Sequence, residues 1–114
     1  SADDLREALK QIEALRQRAA SVKVGGTIQY NPGWHLALDL KNMLDVSEAV
    51  TRAALERTES RGAHTRDEYP DSLPEWGRLN LLVRLTRGGM EIVREPLAEM
   101  PAELAQLMEG EARG

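Results

Sequence analysis

Apolar residues recur at steps of three and four along the start of the chain, which is the spacing of one face of an α-helix. Over residues 3–23 these positions are Leu5, Ala8, Ile12, Leu15, Ala19 and Val22. Ser1, Asp3 or Asp4 can cap the start of such a helix, and the Gly25-Gly26 pair stops it. The pattern therefore predicts a first helix over residues 3–23.

A second and longer helical pattern begins at Asn31-Pro32, because Asn is a good cap and Pro is tolerated in the first turn. It continues to about Arg61, where Gly62 has the position of a C-terminal cap. The predicted main seam consists of Leu36, Leu40, Met43, Ser47, Val50, Ala54 and Thr58, and it is widened by Ala37, Leu44, Ala53 and Leu55. Because this apolar face is wide, we expect the helix to pack against more than one neighbour.

The rest of the chain predicts a charged loop, a β-hairpin and a short helix. Leu79–Thr86 and Met90–Glu95 have strand character around a Gly88-Gly89 turn, and Pro96 is expected to end the second strand. Pro101–Glu109 predicts a short helix, after which the last five residues are expected to fray. The fold class predicted is mainly α: a long antiparallel helical hairpin over 3–61, a loop over 62–78, and a β-hairpin and tail over 79–114, all in one domain.

Composition excludes several kinds of site. The chain has 114 residues and a net charge of -4, which disfavours non-specific binding to nucleic-acid phosphates. It contains no Cys, so it has no disulfide, thiolate metal site or cysteine nucleophile. No apolar run reaches the ~20 residues of a membrane span, and the glycines form no GxGxxG phosphate-binding pattern. Because the sequence begins at Ser1 without Met, we expect a processed product or a fragment of a longer protein.

Two histidines are the obvious candidates for metal chemistry. His35 and His64 are the only imidazoles, and no HExxH or similar spacing of ligands is present. A small metal-binding enzyme that uses both histidines is therefore the weakest of the functional hypotheses.

The densest polar stretch runs from Glu59 to Pro70. In it, basic residues alternate with acidic ones: Arg61, His64 and Arg66 with Glu59, Asp67 and Glu68. One interpretation is a solvated loop after the end of a helix, where basic side chains are common. The other is a directed ion-pair network with a docking role, with an exit direction restricted by Tyr69-Pro70.

The residues of this stretch and of the helix before it resemble a known family. Residues 40–49 read L-K-N-M-L-D-V-S-E-A, residues 59–66 read E-S-R-G-A-H-T-R, and Tyr69-Pro70 completes the motif. Over residues 4–76 the chain is similar to the C-terminal helical domain of the succinate dehydrogenase and fumarate reductase flavoprotein subunit. The family's acidic pair is reversed here, as Asp67-Glu68. L-aspartate oxidase has a related domain, but it tends to carry Leu-His-Tyr-Thr at the positions of residues 63–66.

The resemblance implies a three-helix, spectrin-repeat-like bundle of which this chain supplies two helices. It also implies that FAD and the catalytic residues lie elsewhere in the parent flavoprotein, so that this chain has no catalytic, cofactor-binding or metal residue and is inactive alone. The docking residues expected to hold the loop against a neighbouring surface are Arg61, His64, Arg66 and Asp67.

The partners implied are the parent's own flavin domain and the iron–sulfur subunit, at the inner, cytoplasmic face of the cell membrane. Because part of the wide helical face would lack its neighbour, we expect the isolated chain to form a homo-oligomer. A free-standing helical adaptor remains the alternative from another class of protein. Such an adaptor would dimerise and bind a protein partner through the loop over residues 61–70.

Overall fold

The computed structural model describes residues 1–104 as a helical hairpin followed by a loop and a β-hairpin. The helices are α1 (Ala2–Ala20) and α2 (Pro32–Glu56), and the strands are β1 (Leu79–Thr86) and β2 (Gly89–Pro96). A short 3-10 helix over Trp76–Arg78 leads into β1. Residues 102–104 form a helical turn, whereas the rest of the helix predicted to reach Glu109 lies outside the described residues. The predicted mainly α class is confirmed.

The two helices are antiparallel and are joined by two ion pairs of one arginine. Arg16, near the end of α1, donates to Asp45 (2.5 Å) and to Glu48 (2.7 Å) in the middle of α2. Among the described residues, none of α1 is fully buried, because α1 packs on one side only. α1 ends at Ala20, so its predicted extension to Lys23 is wrong.

The apolar residues of α2 are divided between two faces, and the predicted main seam is not the one that packs against α1. Leu44, one of the residues expected only to widen the seam, is the buried one at 6% exposure. Leu36, Met43 and Val50 of the main seam are 63–68% exposed. The face of α2 that packs against α1 carries Leu44 together with Asp45 and Glu48, which pair with Arg16, and the main seam points away from α1.

α2 ends at Glu56, and its predicted extension to about Arg61 is wrong. Arg57 already has extended backbone angles of φ -77° and ψ 107°. Gly62 is therefore not a helix cap. It takes a left-handed φ of +58° in a tight turn, where the backbone groups of Arg61 and His64 bond to each other in both directions at 2.8 and 3.0 Å.

The β-hairpin closes through a two-residue turn, Arg87-Gly88, between the paired residues Thr86 and Gly89. The turn is thus one residue earlier than predicted, and Gly89 takes a φ of +111°. Pro96 pairs with Leu79 at the open end, where a missing N–H is tolerated, so β2 includes Pro96. Arg94 of β2 contacts Glu56, which places the hairpin beside the end of α2.

The packed interior is small. Among residues 1–104 the buried apolar side chains are Leu44 and Trp76, and the buried charged ones are Glu59 and Arg66. The radius of gyration is 20.1 Å, well above the ~13 Å of a compact chain of about this length. No helix within the described part of the chain is long and apolar enough to cross a membrane. Because so few apolar side chains are buried, the arrangement of the loop and hairpin depends strongly on polar contacts.

Candidate functional site

The site with the most unusual chemistry is the charged loop between α2 and β1. We call the side chains of Arg57, Glu59, Arg61, His64 and Arg66 the loop cluster. They follow the end of α2 within ten residues of chain and include both buried charges of the described structure. Four of the five lie in the dense polar stretch over residues 59–70, and Arg57 precedes it.

Arg66 binds the end of α2. Its side chain is 3% exposed, and Nη1 donates to the carbonyls of Ala54 (2.9 Å), Leu55 (3.2 Å) and Arg57 (3.1 Å). The last carbonyls of a helix have no partner within the helix and carry a partial negative charge, so a guanidinium satisfies both requirements. The Tyr69 ring lies 5.3 Å from Cζ of Arg66 and covers the guanidinium. Arg66 thus terminates α2 from within the chain.

Glu59 lies at the centre of the loop and has no exposed surface. Its Oε1 accepts from Arg57 Nη1 and from Arg61 Nε (2.9 Å), and its Oε2 accepts from Arg61 Nη2 (3.1 Å) and from the Leu73 amide (2.8 Å). Such a two-donor arginine contact is among the stronger hydrogen-bonding arrangements in proteins. The hydrogen bonds from Arg61 are the main cause that lowers the pKa of Glu59 from 4.5 to about 2, against the opposing effect of burial. The carboxylate is thus charged and fully bonded.

Trp76 links the loop cluster to the β-hairpin. Trp76 is 5% exposed, and two guanidinium groups lie over its ring, with Cζ of Arg57 at 5.2 Å and Cζ of Arg94 at 4.5 Å from the ring centre. Arg94 is itself paired with Glu56 at 2.7 Å. Cations over an aromatic face are attracted by the ring quadrupole, most strongly where water is excluded. This stack therefore fixes the hairpin against the end of α2.

The loop also contacts the start of α1. The carboxylate of Glu68 accepts from the Ala2 amide at 2.5 Å, and this hydrogen bond is the main cause that lowers the pKa of Glu68. Negative charge at the first turn of a helix is favourable because the free amides point toward it. The start of α1 and the end of α2 thus both meet this loop.

Of the four predicted docking residues, three contact other groups of this chain and one is exposed. Arg61, His64 and Arg66 lie together, and each contacts the chain itself: His64 Nε2 is 3.2 Å from the Arg57 carbonyl, and Arg61 also donates to the Leu73 carbonyl at 2.9 Å. Asp67 is exposed, and no hydrogen bond to its carboxylate is found within residues 1–104. Docking by these residues stays a prediction.

Three members of the arrangement are not predicted from the sequence: Arg57, Trp76 and Arg94. In the sequence Glu59 is one charge among several, although its position beside two arginines is a signal for a buried ion pair. Trp76 and Arg94 give no signal, because their stack joins segments that are distant in sequence.

The two histidines do not form a metal site. His35 lies in the first turn of α2 and His64 lies beyond its end, so a helix roughly 37 Å long separates them. In the described range no group of three or more His, Asp or Glu is suited to hold a metal ion.

Comparison with known proteins identifies the family. The family model "Fumarate reductase flavoprotein C-term" matches residues 1–108, so the chain belongs to this family of flavoprotein C-terminal domains. The match is wider than the resemblance over residues 4–76, because it includes the β-hairpin.

Similar proteins are much longer than this chain. The matching fumarate reductase (CoM/CoB) polypeptide of Methanothermobacter marburgensis is 41% identical over 80 residues, which are 70% of this chain and 15% of that protein. The fumarate reductase flavoprotein subunit of Helicobacter pylori is 43% identical over 67 residues, which are 58% of this chain and 9% of that protein. L-aspartate oxidase of Vibrio cholerae is 34% identical over 73 residues, which are 64% of this chain and 13% of that protein.

The fold is also similar to a solved structure. Sdh1 of Mycobacterium smegmatis, in a complex with UQ1, has a TM-score of 0.84 and 42% identity to this chain. The similarity covers 95% of this chain and 19% of Sdh1. This chain therefore spans less than a fifth of the length of each of these relatives.

Because the buried carboxylate of Glu59 must stay charged, we expect the stability of the fold to fall at acid pH. The folded-state pKa of Glu59 is below its ordinary 4.5, so its contribution to stability is complete above about pH 4.5 and is lost as pH falls toward 2. We expect Glu59→Gln to lower the thermal midpoint at neutral pH by several degrees, because Arg57 and Arg61 lose their counter-charge. We also expect the variant to lose less stability than the wild type on acidification.

The measurement is thermal unfolding followed by circular dichroism at a series of pH values. Glu75→Gln is the matched control, because Glu75 is exposed and makes no ion pair within the described residues. Equal loss of stability on acidification in Glu59→Gln and in the wild type would contradict the assignment.

Proposed function

We propose that the chain is the C-terminal helical domain of a FAD-dependent succinate dehydrogenase or fumarate reductase flavoprotein subunit. In this role it packs on the flavin domain and contacts the iron–sulfur subunit. The observation that carries the proposal is the family match over residues 1–108, supported by the similarity of nearly the whole fold to Sdh1 of Mycobacterium smegmatis. The chain lies at the inner, cytoplasmic face of the membrane through its parent complex.

Catalysis in this proposal belongs to the rest of the parent protein. FAD supplies the redox chemistry of the parent, and we assign this chain neither a catalytic nor a cofactor-binding residue. The donors of the loop cluster support this division, because Arg61 and Arg66 direct their hydrogen bonds to Glu59 and to backbone carbonyls. We expect the isolated chain to be inactive with succinate or fumarate.

L-aspartate oxidase is the second candidate for the parent. The relatives from Vibrio cholerae and Yersinia pestis are 34% and 36% identical over 73 and 69 residues. The fumarate reductase relatives from Methanothermobacter marburgensis and Helicobacter pylori are more similar, at 41% and 43%. Oxidation of aspartate, but not of succinate, by the full-length flavoprotein would establish this second candidate.

In this proposal the four predicted docking residues have two different roles. Arg61, His64 and Arg66 give the loop its shape from within, since their contacts lie inside the chain. Asp67 projects outward and is available for a positively charged partner group. The loop cluster therefore presents Asp67 and its exposed neighbours, residues 62, 63 and 65, to the parent's flavin domain or iron–sulfur subunit.

Asp67→Ala in the full-length flavoprotein is expected to weaken assembly with the iron–sulfur subunit severalfold, because an interfacial charge pair is lost. The measurement is the amount of iron–sulfur subunit that co-purifies with tagged flavoprotein at increasing salt. Asp71→Ala is the matched control, since Asp71 is an exposed carboxylate later in the loop. Unchanged assembly and unchanged turnover in Asp67→Ala would refute the docking role.

The exposed seam of α2 supports a further part of the proposal, that the isolated chain forms a homo-oligomer. Leu36, Met43, Val46 and Val50 are each 63–68% exposed along one side of α2. In the full-length parent this side packs on the rest of the protein. Without the parent, two copies can pair these sides in a four-helix arrangement.

Sedimentation velocity tests the homo-oligomer. We expect the wild-type chain to be a dimer and Met43→Glu to be monomeric, because the charge would be buried in the paired seams. Leu85→Glu is the control, since Leu85 is 82% exposed at the tip of the hairpin, away from the seam. A monomeric wild type at concentrations well above micromolar is the result that would rule out pairing.

A further inference from the structure

The turn that carries Asp67 is held at both of its ends, although it lies at the surface of the loop. Residues 66–69 form a β-turn that is closed by the Tyr69 amide, which donates to the Arg66 carbonyl at 3.0 Å. Ser60 Oγ accepts from the Arg66 amide at 2.9 Å and donates to the Tyr69 carbonyl at 2.7 Å. One hydroxyl therefore bridges the first and the last residue of the turn.

The turn is also connected to both helices, through the two residues that flank Asp67. Arg66 donates to the last carbonyls of α2 at 2.9 to 3.2 Å. The carboxylate of Glu68 accepts from the Ala2 amide at 2.5 Å, and its other oxygen lies 3.4 Å from Arg66 Nε. Asp67, between these two residues, is exposed. Each neighbour of Asp67 is thus bound to the end of a different helix.

The start of α1 is a fixed point for the contact with Glu68, because local residues cap it. The Ser1 side chain accepts from the Asp4 amide at 3.4 Å, and the Asp4 side chain accepts from the Ser1 backbone nitrogen in a capping box. The box does not use the Ala2 amide, which as a first-turn amide has no acceptor within the helix. Glu68 supplies that acceptor across 66 residues of chain.

We propose that Glu68 is a positioning residue, which ties the turn over residues 66–69 to α1 and so holds Asp67 in one orientation for docking. This role rests on the proposed docking function of Asp67. A carboxylate that is already fixed loses less conformational entropy when it pairs with a cationic group than a mobile carboxylate does. Glu68 therefore strengthens docking without contact between its own side chain and the partner.

Two variants of Glu68 separate positioning from a direct charge contact. Both remove the charge, but Glu68→Gln keeps an oxygen for the Ala2 amide, whereas Glu68→Ala does not. In the full-length flavoprotein we expect Glu68→Ala to weaken assembly with the iron–sulfur subunit severalfold, as Asp67→Ala does, and Glu68→Gln to remain close to the wild type. The measurement is again co-purification at increasing salt. Glu75→Ala is the matched control, because Glu75 is an exposed carboxylate without an ion pair in the described residues.

The double variant Asp67→Ala/Glu68→Ala shows whether Glu68 acts through Asp67. We expect it to assemble as well as Asp67→Ala alone, because positioning has no effect once the positioned carboxylate is gone. Additive losses, or a loss in Glu68→Gln as large as in Glu68→Ala, would overturn the proposal, since Glu68 would then act on the partner directly. Normal assembly of Glu68→Ala beside weakened assembly of Asp67→Ala would overturn it as well.

Hydrogen exchange tests the tie to α1 separately from assembly. In the full-length flavoprotein we expect the Ala2 amide to exchange about tenfold faster in Glu68→Ala than in the wild type, with no change in Glu75→Ala. Unchanged protection of the Arg57 amide checks that α2 keeps its last turn. Faster Ala2 exchange together with normal assembly of Asp67→Ala would support the tie and refute the docking function. Unchanged Ala2 exchange in Glu68→Ala would overturn the proposal whatever the assembly result.

Discussion

A carboxylate that is completely removed from water must have its charge balanced and both oxygens hydrogen-bonded, and Glu59 imposes this requirement on the loop. Two arginines and the Leu73 amide meet it, and they come from both sides of Glu59 in the sequence. The loop can close only when these groups converge. In a chain whose described apolar interior is limited to Leu44 and Trp76, this ionic centre replaces much of the packing that usually positions a loop.

The other features of this end of the molecule follow from that closure. With Glu59 held, Arg66 reaches the last carbonyls of α2 and ends the helix at Glu56, while Arg57 lies over Trp76 and aligns the β-hairpin. The E-S-R-G-A-H-T-R stretch of this chain is thus first of all a folding element, since its charged groups satisfy one another. Asp67, the next residue, has an exposed carboxylate.

The two helices, their antiparallel arrangement, the hairpin and the charged loop are all predictable from the sequence. The N-terminal cap at Asn31 and the strand pattern around Gly88 are local signals, and local signals place these elements to within a few residues. The end of α2 is not predictable in this way, because it depends on Arg66, which returns to the helix from ten residues beyond it. The packed face of α2 is not predictable for a similar reason: both faces are apolar, and the contacts that distinguish them, such as Arg16 with Asp45, join residues that are distant in sequence. Of the site, the residue types are predictable, but the contacts of the Trp76 ring with Arg57 and Arg94 are not.

Glu59 holds the loop as firmly as a helix is held by its own hydrogen bonds. Amide hydrogen exchange at Leu73 tests this most directly, because the Leu73 N–H donates to the Glu59 carboxylate at 2.8 Å and belongs to no helix or strand. We expect this amide to exchange as slowly as the amide of Arg57, which closes the last turn of α2. Exchange of the Leu73 amide at the rate of an unprotected loop, with Arg57 still protected, would contradict it.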